Sequence, residues 1–203
     1  MSKRPFLTGL VLAAGSSCRF GQPKQLLPYR GTTLLGWTVA QAEASPDLDE
    51  VLLVLGHARD QILAGLTLHR ARPIINSEFH EGCAASYRTG LAAADPDTDG
   101  VMILLGDQPG VDVEIIGHVA DAWRAGGSLI VVAAYQGIPG HPLLFNRQLF
   151  PDLAALHGDK AAWKILDRNP DQVHRVEVGR PLPPDVDTPA DYEALANGQD
   201  YYS

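Results

Sequence analysis

Four short apolar runs divide the chain, at residues 7–13, 51–55, 101–105 and 129–134. Each is nearly continuous rather than alternating, the pattern of a strand covered on both faces in a parallel sheet. Between them the apolar spacing becomes helical. Leu34, Leu35, Trp37, Thr38 and Val39 lead one helix, stopped near Ser45-Pro46. A second spans residues 84–94 and ends at Asp95-Pro96, behind a weaker strand at 73–76. A third carries Val113, Ile116, Val119, Ala120 and Trp123 on one stripe and is closed by Gly126-Gly127. Strands alternating with helices indicate βαβ units and an open α/β sheet wound on both faces.

After Tyr135 the pattern loosens. Pro139-Gly140-His141-Pro142 reads as a turn, residues 143–145 as a short strand, 160–168 as a helix and 173–178 as an edge strand. A terminal helix at 192–196 follows Thr188-Pro189. No internal repeat or interdomain linker interrupts the chain, so a single domain over 1–203 is expected.

Composition agrees with this picture and narrows the chemistry. At 21.8 kDa, folding buries roughly 70% of the unfolded surface, and 45% hydrophobic residues can fill such a core. The formal charge is −8 and the 16 basic residues are scattered, which argues against nucleic acid as a partner. Cys18 and Cys83 form no CxxC pair, so neither a disulfide framework nor a cysteine zinc site is expected. The apolar segment behind the basic start, residues 6–14, is short and runs straight into a glycine loop, which reads as a first strand instead of a signal peptide. No apolar stretch is long enough for a membrane span. The expected compartment is the cytoplasm, with no membrane partner.

Ligands of open α/β sheets bind beyond the carboxyl ends of the strands, where the unusual residues of this chain collect. Behind the first strand comes Leu12-Ala13-Ala14-Gly15-Ser16-Ser17-Cys18-Arg19-Phe20-Gly21-Gln22-Pro23-Lys24-Gln25. Small residues let backbone N–H groups approach an anion, and Arg19 and Lys24 add positive charge, a combination suited to a triphosphate. The plain alternative is a glycine-bearing surface loop with two solvated cations. Gly15 and Gly21 stand too far apart for a GxGxxG loop, and no Gly-Lys-Ser/Thr completes a Walker A motif.

Asp107, in Gly106-Asp107-Gln108-Pro109, ends a buried strand where a metal bridging phosphates would be held; the alternative is a cap for the helix starting near Asp112. Asp185 and Asp187 occupy alternate positions of an extended segment. They are expected on opposite faces, so that only one joins Asp107 on a metal and the other caps the last helix. None of the seven histidines falls in a metal-ligand spacing; His141 stands out because its Gly140-His141-Pro142 turn fixes it. No Gly-x-Ser-x-Gly elbow is present, so serine hydrolase chemistry is unsupported.

These residues resemble the MobA-like NTP transferases, and within them the molybdenum cofactor cytidylyltransferases. The Leu-Ala-Ala-Gly-x-Ser-x-Arg-x-Gly-x-x-Lys pattern runs through 12–24 without a gap. A Glu-Gly…Ser…Gly-Leu pattern within 76–91 follows, then Gly106-Asp107-Gln108-Pro109, Gly140-His141-Pro142, Gly158-Asp159-Lys160 and Asp185-Val186-Asp187-Thr188-Pro189. The first motif is specific to NTP transfer in general; the later ones point to the molybdopterin branch.

The resemblance implies a three-layer α/β/α sandwich with a mostly parallel, Rossmann-like sheet. It implies that Leu12, Ala13, Ala14, Gly15, Ser16, Arg19 and Lys24 wrap the nucleotide and that Ser86 borders it. Asp107 and Asp187 would hold Mg²⁺, and His141, Asp159 and Lys160 would line the acceptor side. Lys24, Arg19 and Asp107 would be the catalytic groups. The implied reaction transfers CMP from CTP to the phosphate of molybdenum cofactor (molybdopterin) and releases pyrophosphate, with a molybdoenzyme or cofactor-insertion protein as a possible downstream partner. Rivals are GTP as donor, a sugar or polyol phosphate as acceptor, or a non-catalytic carrier of the cofactor. One departure stands out: Ala161-Ala162-Trp163 follows Gly-Asp-Lys where the family often has Gly-Ala-Arg.

Overall fold

The computed structural model describes residues 4–15, 17, 20–159 and 161–197. The first apolar run is β1 (Leu7–Ala13), and its loop leads through a small hairpin, β2 (Pro28–Tyr29) and β3 (Thr32–Thr33), into α1 (Leu34–Ala44). Then follow β4 (Glu50–Leu55), α2 (Arg59–Ala64), β5 (Arg72–Ile75), α3 (Cys83–Ala93), β6 (Gly100–Leu105) and α4 (Val113–Arg124). The rest comprises β7 (Ile130–Tyr135), β8 (Ile138–Asn146), α5 (Phe150–Ala154), α6 (Ala161–Arg168), β9 (Val173–Glu177) and α7 (Pro189–Ala196).

Seven strands form one sheet in the order β5-β4-β1-β6-β8-β7-β9. Only β8 among them runs antiparallel to its neighbours, β6 and β7. Strand alternation explains the two-sided core, because successive side chains leave opposite faces. Val11, Leu53, Met102, Val131 and Leu144 join α1, α2 and α4 on one face. Leu10, Leu52, Ile103, Val132 and Phe145 join α3, α5 and α6 on the other. The sandwich is therefore three-layered and mostly parallel. No helix of the described residues is long and apolar enough to cross a membrane.

The expected turn at Pro139–Pro142 is a correction. Strand β8 runs straight through it, and the chain reverses earlier, at Gln136-Gly137, where both residues have positive φ (52° and 82°). That is the signature of a two-residue type I′ hairpin. Gly140 pairs with Ala133 and Leu143 with Val132, so His141 and Pro142 bulge out of the ladder. Proline is tolerated at such bulges because the ladder asks nothing of its missing N–H. The bulge lies at the carboxyl end of the neighbouring parallel strands and turns His141 into the site.

Candidate active site

The loop after β1 is braced from below by a buried amide. Gln25 Nε2 donates to the carbonyls of Ala13 (3.3 Å) and Gly15 (3.2 Å), and Gln25 Oε1 accepts from the Ser17 hydroxyl (2.9 Å). A fully satisfied buried side chain of this kind rigidifies the backbone around it. Leu12, Ala14 and Gly15 thus stand fixed on the wall of the site cavity. Ser16, Arg19 and Lys160, expected at the site, lie outside the described residues, as does Cys18.

Lys24 begins a short 3-10 turn (Lys24–Leu26) that points its side chain across the carboxyl edge of the sheet. Its ammonium donates to Asp107 Oδ2 at 2.7 Å and Asp187 Oδ1 at 2.8 Å, with only 12% of the side chain exposed. Burial alone would lower the Lys24 pKa. The Asp107 charge and the hydrogen bonds to both carboxylates outweigh it, so the net shift is upward and the amine stays charged. Asp107 does not cap the next helix. That role falls to Asp112, whose side chain accepts from Ile115 N–H at 3.1 Å.

The expectation that Asp185 and Asp187 face opposite ways is corrected. Residues two apart in an extended segment share a face, and both carboxylates reach the Asp107 turn. Asp187 meets Lys24, while Asp185 accepts from Gln108 Nε2 at 2.5 Å. Between them Val186 is fully buried, and its N–H donates to the Asp107 carbonyl at 3.1 Å. Desolvation and then the Asp107 charge raise the Asp185 pKa, against the lowering effect of the Gln108 bond. Neither aspartate caps α7. Thr188 is its N-cap, closed in a capping box with Asp191, and Asp191 Oδ2 also accepts from Asp187 N–H at 3.1 Å. A separate apolar cluster of Leu27, Tyr29, Leu34, Val186 and Leu195 anchors this C-terminal segment to the β2–β3 hairpin and α1.

Beside these charges opens a cavity of about 570 Å³, walled by Phe79, Tyr87, Trp163 and His141, with Ser86, Asp107 and Asp159 as polar members. Ser86 is buried and accepts from Asn76 Nδ2 at 3.1 Å. Asp159 accepts from Cys83 N–H at 3.1 Å and Gly158 O accepts from Ala84 N–H at 3.2 Å, so this loop caps the start of α3. The approach needs Gly82: at φ 92°, a Cβ there would stand 2.8 Å from Asp159 Oδ1. His141 is buried, its carbonyl accepts from the Tyr135 hydroxyl at 2.5 Å, and its ring meets Trp163 edge-to-face at 5.8 Å. Burial pushes its pKa down to about 4, so the imidazole is neutral, and its Nε2 has no hydrogen-bond partner among the described residues. Sequence reasoning did not find Phe79, Tyr87 or Trp163 as cavity walls, nor Gln25 and Gln108 as braces. An aromatic on a helix reads as core, and only the buried amides, unusual so close to charged loops, offered a signal.

Among the described residues no group of three or more His, Cys, Asp or Glu is arranged to hold a metal. The pair Asp107–Asp187 nevertheless accommodates a positive charge, since the Lys24 ammonium already sits between the two carboxylates. A hard divalent cation that draws its remaining oxygens from phosphate and water fits such a two-carboxylate site.

Known proteins place this geometry. A nicotine blue oxidoreductase of Paenarthrobacter nicotinovorans is 34% identical over 175 residues, 82% of this chain and 84% of that protein. The molybdenum cofactor cytidylyltransferase of Escherichia coli K12 is 25% identical over 139 residues, 68% and 69% of the two chains. Rv0371c of Mycobacterium tuberculosis H37Rv superimposes with a TM-score of 0.87 at 39% identity, covering 96% of this chain and 100% of that one; another of its structures is a complex with manganese. The MobA-like NTP transferase domain matches residues 9–174, from within β1 to within β9. With most of its sheet inside that match, the chain belongs to the MobA-like NTP transferase family.

Proposed function

We propose that the protein transfers CMP from CTP to the phosphate of molybdenum cofactor and releases pyrophosphate, with Mg²⁺. The observation that carries it is Lys24, held between Asp107 and Asp187 at the mouth of an aromatic cavity. The triphosphate would lie against Leu12, Ala13, Ala14, Gly15 and Ser16, with Arg19 and Lys24 neutralising it and Ser86 at its border. Asp107 and Asp187 would hold the cation, whose chemistry is neutralisation of charge on the phosphates. The manganese complex of Rv0371c supports a divalent ion for a protein of this fold.

An acceptor phosphate oxygen is anionic at neutral pH and needs no strong base. It attacks the α-phosphorus; the bond to the bridging oxygen of the β-phosphate breaks, and pyrophosphate leaves with that electron pair. Lys24, Arg19 and the loop N–H groups stabilise the charge that builds on these oxygens. His141, Asp159, Lys160 and Trp163 would form the acceptor side. A neutral imidazole among aromatic walls suits a planar, uncharged ring system such as a pterin better than a sugar phosphate. A molybdoenzyme or insertion protein would then receive the product.

The oxidoreductase relative supports a second reading, an oxidation–reduction reaction in the same cavity. The experiment is pyrophosphate release from each of the four NTPs with Mg²⁺, with and without molybdenum cofactor, alongside consumption of reduced nicotinamide. Release from CTP only when the cofactor is added is expected. Release from GTP keeps the chemistry and changes the base. Nicotinamide consumption without any pyrophosphate release overturns the proposal in favour of the second reading.

A further inference from the structure

We infer that Lys24 and the divalent cation compete for the same two carboxylates, so that Lys24 latches the site until a triphosphate draws its ammonium away. The inference rests on the reading that Asp107 and Asp187 hold the cation.

The latch joins segments far apart in sequence: the loop behind β1, the turn behind β6, and the stretch ahead of α7. Both of its hydrogen bonds are short and charge-assisted, and the side chain is mostly out of water. An ammonium and a hard divalent cation seek the same oxygen ligands, and two positive centres cannot share one gap. The turn that carries Lys24 is fixed by the buried Gln25, whereas the lysine stem is a flexible four-carbon chain, so release needs the side chain alone to swing.

A free cation must therefore displace a charge whose other candidate partners are already engaged. Among the described residues, Asp185 accepts from Gln108 Nε2, Asp191 closes the capping box with Thr188, and Asp159 on the cavity wall accepts from Cys83 N–H. A triphosphate supplies a fresh anion. Nucleotide and cation binding are then positively coupled, each strengthening the other by the same factor. The arrangement keeps the site from filling with metal before the donor arrives.

The test is titration of Mn²⁺ alone into the full chain, followed by electron paramagnetic resonance of the free ion, for the natural protein and Lys24→Met. Removing the competing charge is expected to tighten Mn²⁺ binding by about tenfold, the scale of two partly exposed ion pairs. Lys24→Arg, which keeps a cation, should stay near the natural protein, and thermal unfolding checks that each variant is folded. A second measurement needs no variant: saturating Mn²⁺ should speed acetylation of the Lys24 amine by an N-hydroxysuccinimide ester, read by mass spectrometry. Equal or weaker Mn²⁺ binding by Lys24→Met, with acetylation indifferent to Mn²⁺, overturns the competition and leaves the Asp107–Asp187 site standing. Absence of Mn²⁺ binding to either form, with or without CTP, overturns both.

Discussion

Asp107→Asn separates the role of this carboxylate in chemistry from its role in the fold. The amide keeps the shape of the side chain and removes one charge. In the resting protein Lys24 loses its attraction to Asp107 across 2.7 Å but keeps Asp187 at 2.8 Å. Unit charges about 4 Å apart interact by about 4 kcal/mol at an effective dielectric of 20. The same substitution relieves repulsion, since the Asp107 charge is among the causes that raise the Asp185 pKa. With opposing contributions of this size in a site that is 26% exposed at Asp107, the net change in stability is within about 1 kcal/mol. For a chain of this length that is a shift in Tm of no more than about 2–4 °C. On the proposed mechanism turnover behaves differently, because half of the protein's hold on the cation would go with the charge. A fall in kcat of at least about a hundredfold, roughly 2.7 kcal/mol, is expected. Pyrophosphate release at saturating NTP, paired with scanning calorimetry, reads both quantities. A kcat within tenfold of the natural protein, with Tm unchanged, removes Asp107 from the mechanism; a Tm loss beyond about 8 °C refutes the electrostatic cancellation.

Three further outcomes follow from the packing and the titrating groups. Gly56→Ala places a Cβ 2.5 Å from Phe79 Cβ and 2.9 Å from the Ala14 carbonyl, so urea unfolding should show a loss of about 1–3 kcal/mol; an unchanged midpoint would contradict the close packing of these walls. Glu43 Oε1 accepts from the N–H groups of His69, Arg70 and Ala71 at 2.7–2.8 Å, which, against burial, holds its pKa below the usual 4.5. Its contribution is present above the unfolded pKa and is lost as pH falls through the folded one, so Glu43→Gln should cost about 1–2 kcal/mol at pH 7 and markedly less at pH 3. His141, neutral in the fold with a pKa of about 4 against 6.5 unfolded, contributes stability that is full above pH 6.5 and disappears toward pH 4. Over that window the difference between the natural protein and His141→Gln should change by about 3 kcal/mol, and a constant difference would show that the imidazole is not desolvated.

The elements that sequence patterning revealed are those whose burial is uniform. Strands β1, β4, β6 and β7 are covered on both faces, so their apolar runs are unbroken and their limits fall within a residue or so of expectation. Helix α4 carries its stripe because one face alone meets the sheet. Strand β8 was hidden by two prolines, since periodicity cannot tell a turn from a bulge whose partner strand lies eight or so residues back. The charged members of the site were legible because a carboxylate or lysine at the end of a buried strand has few structural reasons to be there. Its apolar walls were not, because Phe79, Tyr87 and Trp163 would serve a closed core equally well. The convergence of Asp185 with Asp187 was legible in principle, from the period of two in extended chain.

The lone antiparallel strand has a consequence for how the molecule assembles. Strand β1 finds its partners only across long stretches of chain, Thr8 pairing with Glu50 and Val101, and such pairings carry a large loop-closure cost. Strands β7 and β8 meet through two residues, Gln136 and Gly137. Hairpins of that kind close within about 1–10 μs, long before distant strands pair. The hairpin that later presents His141 is thus expected to form first and to offer a ready edge onto which β6, and through it β1, can add. Pulse-labelled hydrogen exchange that protected β1 ahead of β7 and β8 would rule out this order.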